Sequence, residues 1–95
     1  MKKRSKKLIP KYVKIGKFLQ IARKKAGLSQ GDMKNILGYQ SPQIISDWER
    51  GICGVPLTSI KQVLEAYKMK EETFVTKWLE AHREELEKLF KGKKN

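Results

Sequence analysis

Apolar residues recur at intervals of three and four along most of this chain, which is the spacing of one face of an α-helix. In the first segment with this pattern they are Ile15, Phe18, Leu19, Ala22 and Ala26. Glycine and proline residues, together with a joint at Lys68-Met69-Lys70, divide the pattern into five segments of this kind. No alternation of apolar and polar residues is long enough to indicate a strand. The sequence therefore predicts an all-α fold of five helices.

Residues that start and stop helices mark the limits of these segments. Gly27 ends the first helix, and Ser29 offers an N-cap oxygen to a short second helix that ends at Gly38. Ser41 followed by Pro42 is the strongest start signal in the chain. Serine caps free amides, and proline at the first helical position loses no hydrogen bond. The third helix is therefore expected to open at this pair.

The second half of the chain predicts two further helices. After Gly51 ends the third helix, a fourth follows Pro56. The apolar stripe of the fourth helix consists of Leu57, Ile60, Val63, Leu64 and Tyr67. Glu71 and Glu72 suit the positive end of a fifth helix, which is the longest. The stripe of the fifth helix consists of Phe74, Val75, Trp78, Leu79, His82, Leu86, Leu89 and Phe90.

Positive charge is concentrated near the N-terminal end. The chain has 22 Lys and Arg against 10 Asp and Glu, a formal net charge of +12. Eleven of the basic residues and none of the acidic ones lie within residues 1–27. Such a block attracts a polyanion through counterion release, so DNA, RNA or an anionic membrane would suit it. A solvated tail without function is the alternative reading.

These patterns also predict how the chain is organised. A basic flexible arm at residues 1–11 precedes a helical domain at residues 12–69. An amphipathic C-terminal helix at residues 70–91 is expected to pack on that domain or to serve dimerisation, and a basic tail occupies residues 92–95.

Several classes of function lack the residues that they need. Cys53 is the only cysteine and His82 the only histidine, too few for a metal site or a catalytic constellation. A single cysteine forms no intrachain disulfide and fits a reducing compartment. Basic residues follow Pro10 at once, which leaves no apolar region of a signal peptide, and no window approaches the length of a transmembrane span. We expect a cytoplasmic protein that is not an enzyme and has no cofactor, metal or membrane partner.

Two short helices joined through a glycine and a tight turn have the layout of a helix-turn-helix. Residues 27–51 read GLSQGDMKNILGYQSPQIISDWERG. This segment resembles the Cro/phage-repressor type, or XRE family, whose usual pattern is Gly-Leu-Ser-Gln, then Leu-Gly, then Ile-Ser, then Trp-Glu-Arg-Gly. The resemblance extends from about Ile15 to Met69. It implies a lambda-repressor-like bundle in which helices two and three form the helix-turn-helix of a transcriptional regulator that binds double-stranded DNA.

The third helix is the expected recognition element. Ile45 and Trp48 should face inward, because they lie three residues apart. The side chains expected to face outward and to read base edges are Pro42, Gln43, Ser46 and Asp47. Gln43 is the best reader, since a glutamine amide can bond adenine N6 and N7 together. Asp47 is expected either to accept from a cytosine amine or to repel nearby phosphates.

Other side chains are expected to contact phosphates. Gln30 stands at the start of the second helix, where the helix terminus adds partial positive charge, and Arg50 stands near the end of the third. The basic side chains of the arm with the same expected role are Lys2, Lys3, Arg4, Lys6 and Lys7. The arm has no aromatic residue to stack on bases, which disfavours single-strand recognition. Ordinary surface positions are the alternative for each of these residues.

The resemblance also implies a structural role for Glu49. In this family the matching glutamate pairs with an arginine of the first helix, which corresponds to Arg23 here. The implied ion pair ties the recognition helix to the rest of the domain, and two solvated side chains are the alternative. The chain departs from the family pattern at two places. The turn before Glu49 is one residue longer than in the shortest phage repressors, and Lys34 stands where a small residue is usual.

The fifth helix has a wider apolar stripe than a small core needs. Four of its side chains are candidates for a partner interface: Trp78, Leu86, Leu89 and Phe90. They are expected to lie in the core, to form a homodimer interface or to bind another protein. An antitoxin or co-regulator that holds a protein partner with this helix is therefore the alternative function, and a non-specific nucleoid or RNA-binding protein is a third.

Overall fold

Five α-helices and no strands make up residues 10–92, the part of the chain that the computed structural model describes. The helices are α1 Pro10–Lys25, α2 Gln30–Leu37, α3 Gln43–Arg50, α4 Leu57–Tyr67 and α5 Glu71–Gly92. This architecture confirms the all-α prediction. No helix within the described range is long and apolar enough to cross a membrane.

The helix ends follow the capping residues that the sequence indicated. The Ser29 hydroxyl accepts a hydrogen bond from the backbone N–H of Asp32 at 2.9 Å. The Asp32 carboxylate in turn accepts from the backbone N–H of Ser29 at 2.8 Å, which completes a capping box. Gly38 and Gly51 end α2 and α3 with φ of 80° and 82°, a left-handed conformation that glycine adopts without strain.

Two helix starts differ slightly from expectation. α1 begins at Pro10, so this residue and Lys11 lie in a helix and not in the arm expected at residues 1–11. The fixed φ of proline suits the first turn of a helix. α3 begins at Gln43, one residue after Pro42, and the Ser41 hydroxyl accepts from the backbone N–H of Gln43 at 3.0 Å. Pro42 is therefore the N-cap residue and not the first helical residue, and Ser41 bonds the first helical amide from one position before the cap.

All five helices contribute to one core. Its buried apolar residues are Ile15, Leu19, Met33, Ile45, Trp48, Val63, Leu64, Tyr67, Phe74 and Ala81. α1 packs against three of the other four helices, α3, α4 and α5. Ile36 of α2 is 45% exposed and lies outside this core.

α1 and α3 approach each other closely at Gly16. A Cβ atom at this position would lie 2.3 Å from the backbone oxygen of Trp48 and 2.7 Å from that of Glu49. Glycine therefore lets the backbone of α3 rest directly on α1. This contact sets the position of α3 relative to the rest of the domain.

Candidate nucleic-acid interface

The outer face of α3 is polar and the inner face is apolar. Ile45 and Trp48 are 0% and 3% exposed, so both face the core. Of the four side chains expected to face outward, Pro42 and Gln43 are exposed, and Ser46 and Asp47 are half-buried. None of the four is therefore buried in the core, and Pro42 lies just before α3.

Three side chains are linked along that outer face. The Gln43 Nε2 donates a hydrogen bond to Asp47 Oδ1 at 2.9 Å. Arg50 Nη2 donates to the same oxygen at 3.0 Å. The Arg50 side chain is 55% exposed and that of Asp47 only 18%. A helical spacing of four and then three residues brings these groups together, and the carboxylate lies between an amide and a guanidinium.

Arg23 and Glu49 join α1 to the end of α3 through two parallel hydrogen bonds. Arg23 Nε lies 2.6 Å from Glu49 Oε2, and Nη2 lies 3.0 Å from Oε1. The two side chains are 7% and 3% exposed. The hydrogen bond to Glu49 raises the pKa of the Arg23 guanidinium, against the opposing effect of burial. A third donor, Arg23 Nη1, bonds the backbone oxygen of Leu28 at 2.8 Å, so the guanidinium is held on two sides.

Gln30 belongs to the same buried cluster. Its Nε2 donates to Glu49 Oε1 at 2.9 Å, which links α2 to the ion pair. The Glu49 carboxylate therefore connects α1, α2 and α3. The sequence predicts a phosphate contact for Gln30 and no contact with Glu49. The two residues are 19 positions apart, and no local pattern relates them.

Tyr67 of α4 lies close to this cluster. Its side chain is 6% exposed, and burial, followed by the nearby Glu49 charge, raises the pKa of its hydroxyl. The tyrosine is therefore neutral at physiological pH. The burial of Arg23 and Glu49 keeps water away from the ion pair and strengthens its electrostatic attraction.

The distal half of α5 extends beyond the core. Trp78 is half-buried and stacks on His82, with ring centroids 5.0 Å apart. His82 Nδ1 also lies 3.1 Å from Lys11 Nζ of α1. In contrast, Leu86, Leu89 and Phe90 are 43%, 56% and 67% exposed. Three of the four candidate interface side chains are thus accessible to a partner.

Some expected features fall outside the described part of the chain. The basic arm residues Lys2, Lys3, Arg4, Lys6 and Lys7 lie outside residues 10–92. Between Pro10 and Gly92, no group of three His, Cys, Asp or Glu side chains could hold a metal ion. Cys53 is half-buried in the loop between α3 and α4.

Comparisons with known proteins bear on both fold and family. The Helix-turn-helix family model matches residues 19–74, more than half of the chain. The crystal structure of a mutant of the restriction-modification controller protein C.Esp1396I is similar, with a TM-score of 0.61 and 15% sequence identity. That similarity covers 77% of this chain and 96% of the other. No match was found among curated protein sequences. The matched residues include α2, α3 and α4 entirely.

Proposed function

Because the chain belongs to the Helix-turn-helix family of DNA-binding transcriptional regulators, we propose that it recognises one preferred sequence in double-stranded DNA by placing α3 in the major groove. The observation that carries this proposal is the polar outer face of α3 on a helix that Arg23, Glu49 and Gly16 fix to the domain. Membership of this family also agrees with the expectation that the chain is not an enzyme.

Rigidity of α3 supports sequence recognition. Base edges are read by a few hydrogen bonds of defined geometry, and a loosely held helix would offer them in many orientations. The bidentate ion pair limits the rotation of α3 on α1. The outer face then presents Gln43 and Ser46 from a constant position.

Selection from a random library of DNA duplexes tests this proposal. Recovery of a defined sequence is the expected result, with the protein binding it more tightly than a scrambled duplex at the same salt concentration. Equal binding to all duplexes, with strong salt dependence, would instead support a non-specific nucleoid-type protein.

We further propose that the exposed end of α5 joins two copies of this chain. Leu89 and Phe90 follow Leu86 by three and four residues, so the three lie on one side of the helix. Helix-turn-helix proteins commonly bind two half-sites as dimers. A palindromic selected sequence and a dimer in sedimentation velocity are the expected results. A monomer that binds a single half-site would favour the alternative, a different protein partner on α5.

Replacing Gln43, the proposed base reader, and replacing Gln30, the proposed phosphate contact, should have different effects on DNA binding. Gln43→Ala is expected to weaken binding to the preferred duplex by about 1 to 3 kcal/mol and to relax preference at one base pair. Gln30→Ala removes the expected phosphate contact together with the hydrogen bond to Glu49, and it should weaken all duplexes alike because neither contact reaches a base. Titrations of both variants against the preferred and scrambled duplexes measure the difference. A changed base preference in the Gln30 variant would contradict its assigned role.

The basic arm is proposed to bind phosphates along the duplex. Deleting residues 1–8 removes five basic side chains and should lower affinity and flatten its dependence on salt. Helix content and melting temperature should stay nearly unchanged. Binding measured between about 50 and 200 mM salt, together with circular dichroism, checks both effects. Loss of cooperative unfolding in the shortened chain would show that the arm is part of the folded structure.

A further inference from the structure

A hydrogen bond on the outer face of α3 restricts the orientation of the Gln43 side chain. Gln43 is the first residue of α3, and its Nε2 donates to Asp47 Oδ1 at 2.9 Å. A carboxylate only accepts hydrogen bonds at neutral pH, so the glutamine must turn its NH₂ group, and not its oxygen, toward Asp47. This contact decides which end of the amide points along the helix.

Arg50 makes the position of the carboxylate itself well defined. Its Nη2 donates to the same Asp47 oxygen at 3.0 Å. The Asp47 side chain is 18% exposed, much less than the 55% of Arg50. Hydrogen bonds to a charged group are stronger than those between neutral groups. The carboxylate is therefore a fixed acceptor against which the Gln43 amide is oriented.

The oriented amide has one donor and one acceptor left for DNA. Of its two N–H donors, one is directed to Asp47, which leaves one donor and the Oε1 acceptor. In the major groove, adenine presents the N7 acceptor and the N6 amine donor, which match this set one to one. Guanine presents two acceptors, N7 and O6, and would leave Oε1 facing an oxygen.

We propose that Asp47 is a positioning residue that makes Gln43 select adenine over guanine; this inference rests on the proposed function. Asp47 acts through the glutamine amide and makes no base contact of its own. In the proposed complex its negative charge would lie near the phosphates and would lower affinity for all duplexes equally.

The test uses the full-length protein, the duplex that library selection recovers, and all single-base-pair variants of that duplex. Gln43→Ala first identifies the base pair that the glutamine contacts. Asp47→Asn is nearly identical in shape but can donate as well as accept, so it no longer dictates the orientation of the amide. In this variant the affinity ratio of adenine to guanine at that pair should fall by roughly fivefold or more.

Three further variants separate this role from the other possibilities. Asp47→Glu keeps a carboxylate acceptor and is expected to retain the adenine preference. Arg50→Gln removes a guanidinium that fixes the Asp47 carboxylate, so it should weaken all duplexes and lower the adenine preference less than Asp47→Asn does. Gln43→Ala combined with Asp47→Asn should show the same base preferences as Gln43→Ala alone.

Three results would overturn the inference. In the first, Asp47→Asn changes the base preference at a different base pair, or it changes the preference to the same extent in a protein that already carries Gln43→Ala. Either outcome would mean that Asp47 reads a base itself. In the second, Asp47→Asn leaves the ratio intact although Gln43→Ala abolishes it. In the third, guanine is the preferred base at the Gln43 pair. Absence of any preferred duplex for the unchanged protein would contradict the proposed function as well, and so is a distinct outcome.

Discussion

Replacing Glu49 alone by leucine is expected to lower the free energy of unfolding by about 3 to 5 kcal/mol. Arg23 would then keep a charged guanidinium in a position where its side chain is 7% exposed, with no carboxylate to neutralise it. Gln30 would lose its acceptor at the same time. Urea unfolding followed by circular dichroism measures the loss. An effect below about 1 kcal/mol would mean that the pair behaves as an exposed one.

The double variant separates the cost of an unpaired charge from the value of the pair. Arg23→Met combined with Glu49→Leu removes both charges and fills the space with apolar groups. It should recover much of the stability that either single change loses. Recovery should be incomplete, because the Leu28 oxygen and the Gln30 amide also lose partners. Strictly additive losses would show that the two side chains act independently.

Replacing Gly16 by alanine is expected to destabilise the domain by about 3 kcal/mol, the upper part of the usual range for overpacking. The added methyl group would lie 2.3 Å from the backbone oxygen of Trp48. Backbone atoms cannot move aside as a flexible side chain can, so α1 and α3 must separate. The higher helix propensity of alanine offsets this cost by only about 1 kcal/mol. Duplex affinity should fall as well, because α3 is displaced.

Gly31 provides the matched control for this substitution. A Cβ atom there would meet only the Ser29 hydroxyl oxygen at 3.6 Å, an ordinary van der Waals contact. Gly31→Ala should therefore leave stability unchanged or raise it by up to about 1 kcal/mol. Thermal and urea unfolding of the two variants measured side by side test the comparison. Equal behaviour of the two glycine variants would contradict the close approach of α1 and α3.

Most of the helix boundaries could be predicted because they depend on neighbouring residues. Ser29 caps α2 through Asp32, three positions away, and Gly38 ends it through its own backbone conformation. The bond between Gln43 and Asp47 is equally local, and its spacing of four residues would have allowed its prediction. The predictions for Gln43 and Asp47 concerned the contact of each residue with DNA, not the bond between them.

The ion pair between Arg23 and Glu49 could not be predicted from neighbouring residues. Arg23 and Glu49 are 26 residues apart, and only the family resemblance related them before the structure was known. The addition of Gln30 to the pair came from the structure alone. The exposed apolar end of α5 is a similar case. Periodicity marked Leu86, Leu89 and Phe90 as one stripe, but how much of that stripe the core covers depends on how far the other helices extend.

By itself, the sequence of this protein determined the five helices, the inward face of α3 and the family, because periodicity, capping and short motifs depend on residues that are close along the chain. Tertiary structure alone decided that Gly16 brings α1 onto α3, that Glu49 connects three helices, and which apolar side chains stay exposed. Those features depend on the distance between helices in space. That distance is set by the packing of the whole core, which no single segment encodes.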